Sequence, residues 1–317
     1  MFRNGKFLLF VIVLLTSLAA GAQDSEPTDI GRKKVSDMIL RHRSLVVPDP
    51  FDAKRTLLRL FPGKWYDQSK SKYQNQLISW ICPTCTPKIY PDANQMDTLR
   101  FPYPDGVATR LLDVFSFSDS SGKQYKVMSF NHSEYDADGV QTGRFSGGLV
   151  GMASFVRVDS GWQMQIFQPA IGAYGAFSQA PKPQPLLIGN GQYAFLIDHV
   201  NGGPGGPFWQ DTYLIALMEG SFQQLLAAYG TGRTEGNEGK SSWTCSYSVI
   251  AGQRQAFRDI VIDCKGHFVA PDPEHLPQEL KGKVKAGQQG SFTIRHVYVY
   301  TTKKGYQEQL PAKVTIK

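Results

Sequence analysis

The stretch CSYSVIAGQRQAFRDIVIDC, residues 245–264, decides the fold because it specifies an antiparallel hairpin together with its register. When Cys245 is placed opposite Cys264, every apolar pair falls on the cysteine face. That face pairs Tyr247 with Ile262 and Val249 with Ile260, and the other face pairs Ser246 with Asp263 and Ser248 with Val261. Opposed residues lie about 4.5–5.5 Å apart, which a disulfide spans. The stretch therefore predicts a loop at 253–256 and a structural Cys245–Cys264 disulfide.

A second turn lies at Asp159-Ser160-Gly161. With glycine in the left-handed position, this triplet predicts a three-residue hairpin loop that pairs Val158 with Trp162 and Val156 with Met164. On the outgoing strand, apolar residues at positions 162, 164 and 166 alternate with glutamines at 163 and 165. That period of two indicates a half-buried strand.

Asn190-Gly191 is a third turn signal. Its two-residue loop predicts that Ile188 faces Tyr193 and that Leu186 faces Phe195. Further along, the run YLIALM at positions 213–218 is apolar on both faces, which is typical of a strand buried on both sides.

The N-terminal part of the chain follows a different pattern. Residues 29–43 and 52–61 have partial helical periodicity, and residues 64–104 mix prolines with polar residues as irregular segments do. We therefore expect a mainly β protein in which a helical and irregular segment over 23–104 precedes an antiparallel β domain over 105–317. Its hairpins should form a sandwich or a partly closed barrel.

Residues 1–22 have the features of a signal peptide. Basic residues at positions 3 and 6 precede an apolar run, and Ala20-Gly21-Ala22 supplies small residues for cleavage before Gln23. The alternative is an uncleaved anchor, but the run is shorter than the roughly 20 residues that span a bilayer. We expect a periplasmic or secreted protein that is not an integral membrane protein after cleavage.

Charge limits the class of partner. Without the leader, the 317-residue chain retains 295 residues and a net charge of +5, enough for one large or two ordinary domains. Residues 101–274 carry 16 acidic and 11 basic side chains, so nucleic acid is a poor partner. The basic flank with Lys281, Lys283 and Lys285 is expected to be an ordinary solvated segment, and contact with anionic lipid or a cell-wall polymer is the alternative. The candidate partners are therefore an envelope polymer or a protein.

Export also changes how the remaining cysteines are interpreted, because an oxidising compartment favours disulfides over zinc. Cys82-Pro83-Thr84-Cys85 is compatible with a redox pair, one arm of a zinc site or a local structural disulfide. Zinc needs two further ligands, and a thioredoxin-like pair is expected to open a helix, whereas a proline-bearing stretch follows here. We expect a structural disulfide and no confident metal site.

Glu134, Asp136 and Asp138 place carboxylates at alternate positions before Gly139, which resembles the first half of a calcium loop. Phe145 stands where an EF-hand supplies its bidentate glutamate, so an ordinary EF-hand is excluded. A solvated turn is the main expectation and a looser calcium loop is the alternative; no other cofactor is expected.

The segment NGGPGGP at positions 201–207 precedes Phe208 and Trp209. Loops often carry binding surfaces, so these aromatics and Tyr174 are candidate ligand-binding residues. The alternative is that they cap the core.

Catalytic motifs are missing: the sequence contains no G-x-S-x-G, H-E-x-x-H, phosphate-binding loop or dinucleotide fingerprint. Asp198 and His199 are adjacent in a predicted strand and should point to opposite faces. The sequence thus favours an exported cell-envelope protein with a non-catalytic binding or scaffolding role. The alternative is an envelope enzyme, either a hydrolase with unassigned carboxylates or a thiol oxidoreductase using Cys82 and Cys85.

Overall fold

The computed structural model describes residues 31–68, 75–94, 99–135, 144–237, 240–251, 256–269, 276–285 and 287–317. The predicted leader at 1–22 lies outside them. The helical elements are the α-helix α1 (Ala53–Leu60) and 3-10 helices at Asp37–Leu40 and Gln278–Leu280. The strands are β1 (Lys33–Lys34), β2 (Val46–Val47), β3 (Lys64–Gln68), β4 (Asn75–Ile81), β5 (Lys88–Tyr90), β6 (Leu99–Phe101), β7 (Val107–Ser118), β8 (Gln124–Glu134), β9 (Gly148–Val158), β10 (Gly161–Tyr174), β11 (Gln184–Leu187), β12 (Tyr193–Gly202), β13 (Phe208–Met218), β14 (Ser221–Arg233), β15 (Ser242–Ile250), β16 (Asp259–Val269), β17 (Gln289–Thr301), β18 (Gly305–Glu308) and β19 (Lys313–Ile316).

Eight strands form the N-terminal sheet, in the order β1-β4-β7-β8-β9-β10-β2 with β3 also paired to β4. Its strand pairings are antiparallel except that of β1 with β4. Helix α1 packs against this sheet through the fully buried Leu57 and Leu60. The Asp52 side chain caps the helix by accepting a hydrogen bond from the Arg55 N–H, at 2.9 Å. The helix predicted over 52–61 is therefore confirmed.

The helix predicted over 29–43 is wrong within the described residues. Lys33–Lys34 forms β1, and the Val35 N–H donates to the Ile81 carbonyl at 2.9 Å, so only Asp37–Leu40 is helical. Pairing with the edge of a sheet outweighs the weak helical preference of this segment.

Residues 64–104 are also more regular than expected, because they contain β3, β4, β5 and β6. Strand β4 pairs with β7, so strands from both sides of residue 104 share one sheet. The proline and polar content reflects the short length of these strands and the turns between them. The division of the chain into domains at residue 104 stays a prediction.

Nine strands form the C-terminal sheet, in the order β11-β12-β13-β14-β15-β16-β17-β18 with β19 also paired to β17. The sheet curls, and Gly305 at the start of β18 lies so close to β14 that a Cβ there would be 2.5 Å from the Leu225 carbonyl oxygen. The predicted antiparallel, mainly β fold with a partly closed barrel is confirmed.

Within the described residues, three large apolar cores and a small cluster of Leu77 and Ala108 stabilise these sheets. The N-terminal core packs α1 onto one sheet face, and the C-terminal core fills the curled sheet. The middle core lies between the two sheets and contains Val127, Val150, Met152, Tyr174, Ala180, Phe195, Ile197, Tyr213, Ile215 and Phe222. Strand β13 contributes Tyr213 and Ile215 to the middle core and Leu214 and Ala216 to the C-terminal core. The expectation that positions 213–218 bury both faces is confirmed for 213–216.

The register predicted for the 245–264 hairpin is confirmed. Strands β15 and β16 pair Cys245 with Cys264, and all four predicted flanking pairs are present. Both cysteine pairs of the chain lie at disulfide distance.

The register predicted at Asp159-Ser160-Gly161 is wrong by one residue, because Gly161 pairs with Val158 and leaves a two-residue loop. Gly161 has a φ of +129°, and a Cβ there would lie 2.2 Å from the Val47 carbonyl oxygen. The glycine is required because β2 packs closely against the start of β10, not because it occupies the loop.

The register predicted beyond Asn190-Gly191 is also wrong by one residue. The turn itself is present, but the N–H groups of Ile188 and Gly189 both donate to the Gln192 carbonyl, at 2.9 and 3.2 Å. This bulge shifts the ladder, so that Tyr193 faces residue 187 instead of Ile188.

We expect Gly161→Ala to destabilise the protein by about 3 kcal/mol, because the new methyl group collides with the backbone of β2 at a positive φ. Gly203→Ala is the matched control, since a Cβ at Gly203 meets no atom within 4 Å. Urea unfolding measures both. Equal losses for the two variants would contradict the close packing of β2.

We expect the Cys245→Ala/Cys264→Ala variant to lose about 3 kcal/mol of unfolding free energy, because the bond closes a loop with a sequence separation of 19. The Cys82→Ala/Cys85→Ala variant removes a bond with a separation of 3 and should lose about half as much. The midpoints of urea unfolding test this order, and the reverse order would refute it.

Candidate functional site

The three aromatics predicted to bind a ligand differ in exposure. Phe208 is 43% exposed and Trp209 is 37% exposed, whereas Tyr174 is only 2% exposed and belongs to the middle core. Tyr174 therefore packs in the core, as the alternative expectation had it. Phe208 and Trp209 reach solvent, as a ligand-binding role requires.

Trp209 and Tyr174 line two cavities that share Tyr229 as a wall. The larger cavity, of about 270 Å³, is lined by Trp209, Tyr229 and Trp243. The smaller, of about 140 Å³, is lined by Tyr229, Tyr174 and Tyr213. We call these five side chains and the two cavities the aromatic cleft. Phe208 lines neither cavity.

Tyr229 is 68% exposed because β14 contains a bulge. The pairing of β13 with β14 skips from Gln210–Gly232 to Thr212–Ala228, and Gly230 has a φ of +67°. The Gly230 N–H donates to Asp211 Oδ1 at 2.7 Å, which holds the bulge. A bulge of this kind redirects a side chain, and here it turns the Tyr229 ring towards solvent. Sequence reasoning missed this residue, although the glycines at 230 and 232 within a strand were a signal for a bulge.

The Trp209 side of the cleft is held by charge and ring contacts. The Trp209 and Trp243 ring centroids are 6.0 Å apart at an interplanar angle of 73°. The Arg233 guanidinium carbon lies 4.9 Å from the Trp209 ring centroid. Trp243 Nε1 donates to the Gly230 carbonyl at 2.8 Å, which ties the buried tryptophan to the bulge. These contacts hold the Trp209 ring in position while part of it stays exposed to solvent.

The Tyr174 side of the cleft is anchored in the middle core. The Tyr174 ring centroid lies 5.0 Å from that of Tyr213, which lies 6.3 Å from that of Tyr229. The Tyr174 hydroxyl donates to Gln224 Oε1 at 3.1 Å. Burial raises the pKa of Tyr174 and of Tyr213, so both phenols stay protonated at neutral pH.

Polar side chains complete the larger cavity. They come from the 3-10 helix and its C-terminal end and from β17, and they are Gln278, Glu279, Lys281 and His296. The His296 Nδ1 atom lies 2.7 Å from Glu308 Oε1. The cleft therefore combines aromatic faces with both donors and acceptors of hydrogen bonds.

The Cys82–Cys85 pair closes a turn at the end of β4, where the Cys85 N–H donates to the Cys82 carbonyl at 3.3 Å. The next element is β5, so the pair does not open a helix as thioredoxin-like cysteines do. This context favours a structural disulfide over redox chemistry.

The candidate calcium loop lies largely outside the described residues. Glu134 ends β8 and is exposed, whereas Asp136 and Asp138 are not described. Within the described part of the chain, no three His, Cys, Asp or Glu side chains form a group suited to a metal ion. The calcium loop stays a prediction.

His132 is fully buried in a directional chain of hydrogen bonds. Trp80 Nε1 donates to Thr109 Oγ1 at 2.7 Å, and Thr109 Oγ1 lies 2.8 Å from His132 Nδ1. His132 Nε2 lies 3.0 Å from the Pro169 carbonyl, which only accepts, so Nε2 carries the proton and Thr109 donates to Nδ1. Burial lowers the pKa of His132 to about 3. This neutral ring is structural.

Asp198 and His199 lie on opposite faces of β12 and bind different partners. Asp198 Oδ1 accepts from Thr212 Oγ1 at 2.8 Å, and His199 Nδ1 accepts from the Gly175 N–H at 2.8 Å. Burial also lowers the pKa of His199. The pair does not form a dyad.

The buried His132 should make unfolding free energy fall as pH drops. The unfolded chain binds the proton below about pH 6.5 while the folded ring does not, so stability should decline by up to about 1.4 kcal/mol per pH unit for this residue. His132→Gln should be less stable than the unmodified protein at pH 7.5. Between pH 5 and 7.5, however, its unfolding free energy should depend less steeply on pH, by up to the contribution of one bound proton, about 1.4 kcal/mol per pH unit. Urea titrations at each pH measure the slopes, with the exposed His42→Gln as control. An unchanged slope in His132→Gln would contradict this assignment.

The chain matches no protein-family model and no curated protein. In the part of the chain that the structure describes, no helix has both the length and the apolar character needed to cross a bilayer. The two cysteine pairs at disulfide distance are compatible with an extracellular or periplasmic protein.

Proposed function

We propose that this protein is exported to the cell envelope, where it acts without catalysis by binding a glycan polymer in the aromatic cleft. The observation that carries the proposal is that Tyr229 is 68% exposed and lines the same cavity as Trp209, whose ring is held by Trp243 and Arg233. A large aromatic side chain that a bulge leaves mostly exposed to solvent gains little packing energy from its position, which favours a binding role.

The chemistry of the cleft suits sugar rings. The C–H faces of a pyranose pack onto aromatic rings, and its hydroxyl groups need both donors and acceptors. Tyr229 and Trp209 supply the rings, and Gln278, Glu279 and Lys281 supply hydrogen-bonding groups in the same cavity. An envelope polymer is also one of the two classes of partner that the sequence suggested, the other being a protein.

Export is supported by the leader sequence and by the cysteines. Residues 1–22 have the charge and apolar pattern of a signal peptide, and all four cysteines are paired at disulfide distance. Disulfides persist in the periplasm and outside the cell, whereas the cytosol reduces them.

The alternative of a hydrolase finds less support. Glycoside hydrolysis uses two carboxyl groups about 5–10 Å apart across the bond that is cleaved. In the described linings of the cleft, Glu279 stands alone in the larger cavity and Asp92 in the smaller one. Asp92 already accepts hydrogen bonds from Asn94 and from the Gly147 N–H. These carboxylates suit binding better than paired acid-base chemistry.

We expect Tyr229→Ala and Trp209→Ala each to raise the Kd for a glycan about 10- to 100-fold, because each removes a stacking surface worth about 1–3 kcal/mol. Calorimetry with the N-acetylglucosamine hexamer and sedimentation with purified peptidoglycan provide the measurement. The mature protein should be used, and its mass should show an N-terminus at Gln23.

Phe208→Ala is the matched control, because Phe208 is comparably exposed but does not line the cleft. It should leave the Kd unchanged. Binding that is absent, or lost equally in all three variants, would overturn the proposal. Mass spectrometry of the bound hexamer separates the alternative: cleavage abolished by Glu279→Gln would make the protein a hydrolase.

A further inference from the structure

A cavity of about 530 Å³ lies between the two sheets and shares no lining residue with the aromatic cleft. Its apolar and aromatic lining comes from both sheets: Phe117, Tyr125 and Ile166 on one side, and Tyr193, Phe195 and Phe222 on the other. Polar residues complete the lining, and they are Asp119, Ser120, Ser154, Gln165, Asn190 and Gln192. The ring centroids of Phe117 and Tyr193 are 4.5 Å apart, which links the two walls. This volume is in the range of small-molecule binding sites.

One wall contains a buried hydroxyl group without a partner. Ser154 lies in β9 and is 4% exposed, and its Oγ atom has no hydrogen-bond partner. It is two residues from Met152, whose side chain is in the middle core, so alternation along the strand directs Ser154 to the same inter-sheet space. An unsatisfied buried hydroxyl destabilises the folded protein, and a ligand that accepts or donates one hydrogen bond would remove that cost.

The charge of the lining restricts the ligand. Asp119 borders the cavity, and its carboxylate accepts hydrogen bonds from the Ser121 hydroxyl, the Lys123 N–H, the Tyr125 hydroxyl and the Ser121 N–H. These contacts hold the pKa of Asp119 below its usual range, so it is negative at neutral pH. The described lining contains no Lys or Arg. A carboxylate or phosphate ligand would therefore be repelled.

The cavity has a defined edge. Gly191 in the turn before β12 lies against the turn after β7, where a Cβ on Gly191 would be 3.2 Å from the Asp119 Cα atom. The two turns that border the cavity therefore touch, and each belongs to a different sheet. Separation of these turns would widen access to the apolar walls.

We propose that this inter-sheet cavity binds an uncharged apolar molecule, such as a long-chain alcohol, whose single hydroxyl or carbonyl group bonds to Ser154 Oγ. The site is independent of the aromatic cleft and of glycan binding. Aromatic and aliphatic walls cover the body of the ligand, and Asp119 selects against anions.

The test uses the mature protein and the neutral fluorescent probe N-phenyl-1-naphthylamine. The probe should brighten on binding, and 1-dodecanol should displace it at least tenfold more effectively than dodecanoate. Ser154→Ala should raise the Kd of 1-dodecanol about 5- to 10-fold while leaving the Kd of the probe within twofold. Ser154→Leu, which fills the cavity, should abolish binding of both.

Two further measurements separate ligand binding from folding. Ser154→Ala should not lower the Tm of the ligand-free protein, because it removes an unpartnered group. Tyr229→Ala should bind the probe and the alcohol like the unmodified protein, so failure of the glycan proposal would not affect this one. Three results would overturn the inference: a full increase in probe fluorescence with Ser154→Leu, no increase with the unmodified protein, or displacement of the probe by dodecanoate as effective as that by 1-dodecanol.

Discussion

The middle core is the interaction on which the rest of the structure depends. Strands β9 and β13 are buried on both faces, and each contributes side chains to two cores. Met152 and Ile215 can leave water only if the two sheets pack against each other. Because burial of apolar area is the main favourable term in folding, this packing joins an open N-terminal sheet and a curled C-terminal sheet into one body.

Both candidate binding regions lie at places where that packing ends. Tyr174 and Tyr213 belong to the middle core and also form the wall of the smaller cleft cavity. Phe195 and Phe222 belong to the same core and border the inter-sheet cavity. Twisted sheets cannot stay in contact along their whole length, so space opens beyond the contact. Rigid aromatic walls beside such space are well suited to bind ligands without rearrangement.

The buried polar groups divide into two kinds. Both ring nitrogens of His132 have partners, and Asp198 and His199 are each hydrogen-bonded on their own face of the sheet. These groups stabilise one arrangement of the sheets. Ser154 differs, because its hydroxyl group is buried without a partner beside an open cavity. This contrast, together with the position of Ser154 in the cavity wall, is the basis for proposing that Ser154 contacts a ligand.

The sequence by itself determined the antiparallel class, the 245–264 register, the helix at α1 and the location, though not the register, of the turns at 159–161 and 190–191, because periodicity, caps and turn residues act within a few positions of each other. It placed Trp209 in a candidate site but not Tyr229, and it missed the bulge after Asn190-Gly191 and the β2 contact at Gly161. Only the tertiary structure decided those features, the pairing of β1 and the three cavities. Each depends on hydrogen bonds or packing between segments far apart in the chain. The conformational preferences of neighbouring residues do not specify such contacts.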